Sequence, residues 1–272
     1  MSNEIEIVTS WQEFREKWQG GQKRQNFLLR GAMFPFQFPP PPLEDVLDAV
    51  RKNERTRIQK VRASGPIVTD SATQSPQFEQ YPEFRDLPIS QALQERVTIA
   101  HFDANEFAGP GQVFEGLNAI FDQWYQSLAD HGFSWNEASA QRAFFYSSPH
   151  FNTGYHFDSS FVLACQVAGR KRFCWMKEPE RWCSREVIRE KADRYNLMAR
   201  PEGIGPDDVI ECEMEPGDVL WNMMLTPHWV YALDEPTYSF NLTHFYLACD
   251  GQVSPMEGVL REIRSERELI AA

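Results

Sequence analysis

The tripeptide His-Phe-Asp occurs twice, at His101-Phe102-Asp103 and at His156-Phe157-Asp158. A histidine and a carboxylate two residues apart can share one metal ion in an extended segment, because alternate side chains of a strand point the same way. Joined by a histidine from another strand, they make the two-His-one-carboxylate face of non-haem Fe(II) sites, which leaves positions open for cosubstrate and oxygen. Both copies pass this local test, but their surroundings differ. After Asp158 comes an apolar hairpin, FVLACQVAGRKRF, which brings Lys171 back towards the site. Then follows PGDVLWNMMLTPHWV: a turn, an apolar strand, and His228 at its end. After Asp103 come a Pro-Gly loop and an amphipathic segment, with no strand partner close behind. The metal set is therefore expected to be His156, Asp158 and His228. His101 and Asp103 are expected to be structural residues satisfied by hydrogen bonds.

These ligands need strands to hold them, and the sequence supplies them densely from Ala143 onward. RAFFYSS, FVLACQVA, RKRFCWM, VIECEM, DVLWNM and YSFNLTHFYLA are separated by turn signals at Gly169, Pro216-Gly217 and Asp234-Glu235-Pro236. Short strands at this spacing indicate a β-sandwich or barrel, interrupted by one helical insert, SREVIREKADRYNLMA. On the last strand Ser239, Asn241 and Thr243 alternate with Tyr238, Phe240 and Leu242, so the polar set shares one face, either the barrel interior or a solvent edge. Trp175, Trp221, Asn222 and Trp229 flank the ligand strands as pocket wall or as core.

Upstream, TSWQEFREKWQGG reads as a capped helix, QNFLLRGA as a short strand, Pro39 to Pro42 as a stiff polyproline turn, and LEDVLDAVRKN as a helix. Residues 52–91 read as long loops with short strands, RVTIAHF as a strand. A helix is expected from Gly111 to about Leu128, with Val113, Leu117, Ile120, Phe121, Trp124 and Leu128 on one face. The end, SPMEGVLREIRSERELI, reads as an amphipathic helix with Met256, Val259, Leu260 and Ile263 on one side. The expected architecture is one domain over 1–272. Its β-barrel core spans about 142–248, with helices and strands packed on it from 1–141 and a C-terminal helix at about 254–270. His131 is expected to cap a helix, His150 to lie in a loop, and His244 to pack outside the barrel.

Hydrophobic residues make up 42% of the 272, enough for a substantial core. The net charge of −12 opposes nucleic acid and anionic membranes as partners. The five cysteines are scattered, with no C-x-x-C pair, which points to a reducing compartment and no cysteine zinc site. With no basic, apolar start to suggest a signal peptide and no apolar run long enough for a span, the expected location is the cytoplasm.

From about Arg142 to Ala248 the sequence resembles the cupin-fold JmjC-type oxygenases, especially the small asparaginyl-hydroxylase-like members. The matching residues are Thr153, His156-Phe157-Asp158, Gly169-Arg170-Lys171, and Pro216-Gly217-Asp218-Val219-Leu220 leading to His228. TSWQEFREKW and NFLLRG also look like that family's entry helix and first strand. The resemblance implies a double-stranded β-helix (jelly-roll) with Fe(II), 2-oxoglutarate as cosubstrate, and O2. Lys171 would meet the far carboxylate of 2-oxoglutarate, Thr153 would add a hydrogen bond to it, and Asn241 or Thr243 would meet its iron-bound end. Arg170 and Arg172 would face away. The family often has a polar residue six to ten positions after the first histidine, and only Gln166 is polar there.

The implied reaction releases succinate and CO2 from 2-oxoglutarate and hydroxylates a C–H bond of a peptide or protein side chain, or of a small natural product. Asp158 keeps the carboxylate that a halogenating site would lack. N-demethylation is an alternative of the same class. Outside it stand a non-catalytic cupin-fold binding protein, or the same triad on Mn or Zn doing lyase or isomerase chemistry. No reader, zinc-finger or winged-helix segment follows the last strand, an expectation against a large ribosomal or chromatin oxygenase. The C-terminal helix would pair two subunits into a homodimer or fold back on its own barrel.

Overall fold

The computed structural model describes residues 5–20, 25–30, 33–61, 78–137, 140–191, 201–244 and 246–271. Strands and helices are numbered in chain order. The main sheet runs β1 (Ile7–Val8), β2 (Phe27–Leu29), β11 (Val219–Asn222), β8 (Phe161–Ala168), β13 (Thr237–His244), β7 (Ala140–Ser147), β5 (Val97–His101), β3 (Arg57–Val61) and β4 (Phe78–Gln80). A second sheet runs β10 (Val209–Met214), β9 (Lys171–Met176) and β12 (His228–Ala232). Its fourth row is the irregular segment before β8, which bridges β12 at Asn152↔Tyr231 and His156↔His228. The chain from β7 to β13 thus passes back and forth between two facing layers. Within the main sheet β7, β13, β8 and β11 are neighbours. This is the double-stranded β-helix expected from the sequence.

Turn chemistry fixes the hairpin that delivers Lys171. Gly169 sits at φ 66°, and a Cβ there would lie 2.2 Å from the Pro236 carbonyl oxygen, so no side chain fits. Residue alternation then divides each central strand between two environments. On β13, Tyr238, Phe240 and Leu242 face the helices, while Thr237, Ser239, Asn241 and Thr243 face the space between the sheets. Phe240 is wholly buried, with its ring against Phe38, Phe114, Phe121 and Phe144. Truncating such a residue to alanine costs about 3–5 kcal/mol.

The helices cover the outer face of the main sheet. α1 (Trp11–Gln19) is capped by Ser10, whose hydroxyl accepts the Glu13 N–H, and buries Phe14 and Trp18. After the proline run, α2 (Leu43–Arg51) buries Val46, Leu47 and Val50 at helical spacing. α4 (Leu117–Asp130) begins later than the expected Gly111. Gly111 and Gly116 both have positive φ, 73° and 89°, which a right-handed helix does not tolerate, so helical winding starts only after Gly116. Within 52–91 the short strands expected there are β3 and β4, which lengthen the main sheet, and α3 (Ile89–Ala92) precedes β5, while residues 62–77 lie outside the described residues.

A small third sheet joins β6 (Phe133–Trp135), β14 (Leu247–Cys249) and β15 (Gln252–Val253). α5 (Pro179–Trp182) precedes the expected helical insert and α6 (Arg185–Lys191) forms its start, whereas the remainder of the insert, 192–199, lies outside the described residues. α7 (Pro255–Ala271) buries Met256, Leu260 and Ile263 within its own chain and is clasped to α6 by Arg185 and Arg189 on Glu266. Among the described residues, no helix is long and apolar enough to cross a membrane.

Candidate metal centre

The two histidines of the expected set hold each other through their backbones. His156 N–H donates to the His228 carbonyl at 2.9 Å, and His228 N–H returns a bond to the His156 carbonyl at 2.7 Å. This single bridge replaces the regular strand expected for the tripeptide. One turn on, the Leu225 N–H donates to the Asp158 carbonyl at 2.7 Å. The donor atoms of His156, Asp158 and His228 all lie within 4.8 Å of one another. No other set of three metal-ligating side chains converges among the described residues.

Neighbouring groups set the direction of each ligand. His228 Nδ1 lies 2.8 Å from the Thr226 carbonyl and His156 Nδ1 lies 3.0 Å from the Gly154 carbonyl. A carbonyl only accepts, so each Nδ1 carries a proton and Nε2 is the ring atom left to face a metal. Burial, with the neighbouring His156 ring adding to it, pushes the His228 pKa down to about 4, which keeps that ring neutral near pH 7. Phe173 stacks on the His228 ring at 4.9 Å and fixes its plane. Asp158 Oδ2 accepts a 2.8 Å bond from the Asn222 amide and lies 3.6 Å from His228 Nε2.

The triad opens into a cavity of about 540 Å³ between the sheets. Lys171 and Thr153 both line it. Lys171 is only 6% exposed, and no carboxylate is in ion-pair reach among the described residues. Burial pushes its pKa down to about 8. A cation this deep costs free energy unless an anion joins it. Thr153 Oγ1 accepts the Val230 N–H at 3.0 Å, so its own proton remains to donate. Asn241 and Thr243 line the same cavity, which settles the polar face of β13 as interior, and Asn241 Oδ1 is buried without a hydrogen bond. Arg170 and Arg172 turn outward onto Glu235 and onto Glu211 and Glu213.

The first tripeptide is built otherwise. His101 ends β5 fully buried, with Nδ1 2.9 Å from Thr56 Oγ1 and Nε2 3.2 Å from Glu106 Oε2. Asp103 lies beyond the strand and pairs with Arg55 and Asn105. His131 caps α4, with Nδ1 2.8 Å from the Ser127 carbonyl and its ring stacked on Trp11. His150 is exposed near Asp234, and His244 is buried against Tyr125 and Trp135. Gln166 is buried on Thr237 and two carbonyls and does not reach the cavity wall. Trp175, Trp221 and Trp229 are core, whereas Asn222 reaches the site through Asp158.

Sequence reasoning missed Gln59, Phe78 and Arg264, which line the cavity from β3, β4 and α7. It also missed Asn222 as the partner of Asp158. The signal was available in DVLWN: a polar residue ends an otherwise apolar strand a few residues before His228.

Residues 121–248 match the family model described as the JmjC domain. No curated protein matches the sequence. Among solved structures, the X-ray structure of E. coli ycfD is similar at a TM-score of 0.55 and 19% identity, covering 89% of this chain and 54% of that one. YcfD, a ribosomal oxygenase from Escherichia coli, in complex with cobalt and 2-oxoglutarate gives 0.52 and 19%, covering 88% and 53%. The same protein with cobalt and succinic acid gives 0.51 and 17%, covering 89% and 52%. This chain therefore spans about half the length of these neighbours, and the likeness shows the shared fold.

Proposed function

We propose that this chain, with its JmjC domain at residues 121–248, is an Fe(II)- and 2-oxoglutarate-dependent oxygenase. It would hydroxylate a C–H bond of a peptide or protein side chain, or of a small molecule. One observation carries the reading: a His-Asp-His triad and a deeply buried, carboxylate-free lysine share one cavity. The donor set fits Fe(II), with two neutral imidazoles and one carboxylate and no thiolate among them. Bound together, iron, 2-oxoglutarate and oxygen supply the oxidising power that breaks a C–H bond and leaves succinate and CO2.

The protein's own residues do the rest. His156, Asp158 and His228 would hold the metal, and the carbonyls of Gly154 and Thr226 orient the imidazoles by accepting from Nδ1. Asn222 holds one carboxylate oxygen of Asp158 and so limits its rotation. Lys171 and the Thr153 hydroxyl would bind a carboxylate of 2-oxoglutarate, and Asn241 or Thr243 would meet its other end. Phe173 and Val230 exclude water beside it. The net charge of −12 and the unbridged, buried cysteines support a reducing, cytoplasmic setting with neither nucleic acid nor membrane as partner.

The test is anaerobic titration of the apoprotein with Fe(II) and 2-oxoglutarate. A visible charge-transfer band, together with succinate formation on admitting oxygen, is expected. Absence of the band overturns the assignment. N-Demethylation would show itself as formaldehyde release with a methylated substrate.

A further inference from the structure

Three phenylalanine rings line the metal cavity: Phe78 on β4, Phe102 just beyond β5, and Phe145 on β7. All three are half-buried, and none belongs to or packs against either buried apolar cluster of the chain. Other half-buried apolar side chains, such as Trp11 and Tyr125, do pack against the core. So do the fully buried Phe144 and Tyr146, on the opposite face of β7 from Phe145. The three cavity rings meet aromatic neighbours instead. Phe102 meets Phe145 edge to face at 5.9 Å, and Phe78 stacks on the buried Phe151 at 5.5 Å.

The sheet floor beside the rings is low. Phe145 pairs across the ladders with Ala100 on β5 and with Ser239 on β13. Ala143 lies two residues before it on the same face of β7. Ala100, Ala143 and Ser239 all line the cavity, so small side chains flank tall rings there. Apolar surface facing such a cavity gains free energy when an apolar group covers it. Among the described residues lining the cavity, the sole carboxylate is Asp158, already assigned to the metal. A cation entering here would leave water with no acid to offset the cost. Aromatic faces do attract cations, but phenylalanine does so less well than tryptophan.

We propose that the substrate presents a neutral apolar group to the metal, an aliphatic or aromatic hydrocarbon, and that Phe78, Phe102 and Phe145 select it over a cationic one. Such a group offers C–H bonds and no hydrogen-bonding handle, so ring contact sets which of them faces the triad. The inference rests on the metal and 2-oxoglutarate reading above and names the substrate class of that site.

The protein is loaded with Zn(II) and 2-oxoglutarate, which give no turnover, and loading is first verified by calorimetry. Failure to load overturns the earlier reading, and this one with it. With loading verified, only the present proposal is at stake. Then 3,3-dimethylbutanol and choline are titrated as probes of one shape, the first neutral and the second cationic. The neutral probe is expected to bind at least about tenfold tighter. That preference should vanish in the Phe78→Ala/Phe145→Ala double variant, with retained loading and near-UV circular dichroism as the checks on folding. Should the double variant fail those checks, Phe78→Ala alone, on the edge strand β4, should weaken the neutral probe by about threefold or more. Acetylphenylalanine amide showing the same ring dependence assigns the apolar group to a peptide side chain. Binding of dimethylbutanol without it assigns the group to a small molecule. Equal or tighter binding of choline, a neutral preference that survives loss of the rings, or no binding of either neutral probe at millimolar concentration overturns the proposal.

Discussion

The two His-Phe-Asp tripeptides border the same cavity, one residue out of phase with each other. In the first, Phe102 lines the cavity, while His101 turns to the helix-covered side among Thr56, Glu106 and Phe107. In the second, His156 and Asp158 line it and meet His228. Identical side chains thus become a buried structural cluster or a metal set according to strand phase and to the residue waiting opposite. A strand shifted by one position exchanges its two faces completely, so composition alone cannot separate the two outcomes.

The sharpest way to break this contrast is to remove each histidine in turn. His156→Ala should weaken Fe(II) binding by about 100-fold or more and abolish the charge-transfer band. His101→Ala should leave the band intact and lower stability by about 2–4 kcal/mol, read from urea unfolding. Loss of the band in both variants would sink the distinction.

Lys171→Ala should weaken 2-oxoglutarate by about 100-fold, in keeping with the loss of charge-assisted bonds, while Fe(II) affinity hardly changes. In the wild type, 2-oxoglutarate affinity should fall as pH rises above about 8, because the lysine then loses its proton before the anion arrives. A flat profile between pH 7 and 9 would remove Lys171 from the binding role.

Asn222→Leu should loosen Asp158 and weaken Fe(II) by about tenfold, with 2-oxoglutarate affinity unchanged at saturating metal. At the first tripeptide, Thr56→Val should cost only about 1 kcal/mol and leave both ligands unaffected. Burial lowers the pKa of His101. Its neutral form is therefore favoured by folding, and the stability it contributes is present above the unfolded value of about 6.5 and lost as pH falls below it. Replacing His101 by Phe should make the loss of stability between pH 7 and pH 5 shallower.

Much of this was legible in the sequence. The triad could be chosen because the apolar hairpin and PGDVL strand follow only one tripeptide. The phase of the other was also written there: Val97, Ile99 and His101 alternate with Thr98, Ala100 and Phe102, so the apolar pair takes His101 to the core face. The polar face of β13 was visible as alternation, but whether it faced cavity or solvent depended on the sheet opposite. The contributions of Gln59, Phe78 and Arg264 were not legible. They come from separate segments whose meeting is set by sheet order, and no local period announces it. The start of α4 was misplaced because Gly111 and Gly116 sit inside a sequence whose apolar spacing alone would continue the helix.

The reciprocal backbone bridge between His156 and His228 has a consequence for how the protein is made. The carboxylate and first histidine leave the ribosome well before the second histidine, and the two can meet only after the intervening hairpin has closed. A nascent chain stopped before Pro227 carries an incomplete ligand set and should bind iron poorly. Closing so long a loop costs entropy before its contacts reward it. Metal capture should therefore coincide with a late step of folding rather than seed it. In stopped-flow refolding, Fe(II) present from the start should leave the early phases unchanged and act only on the last.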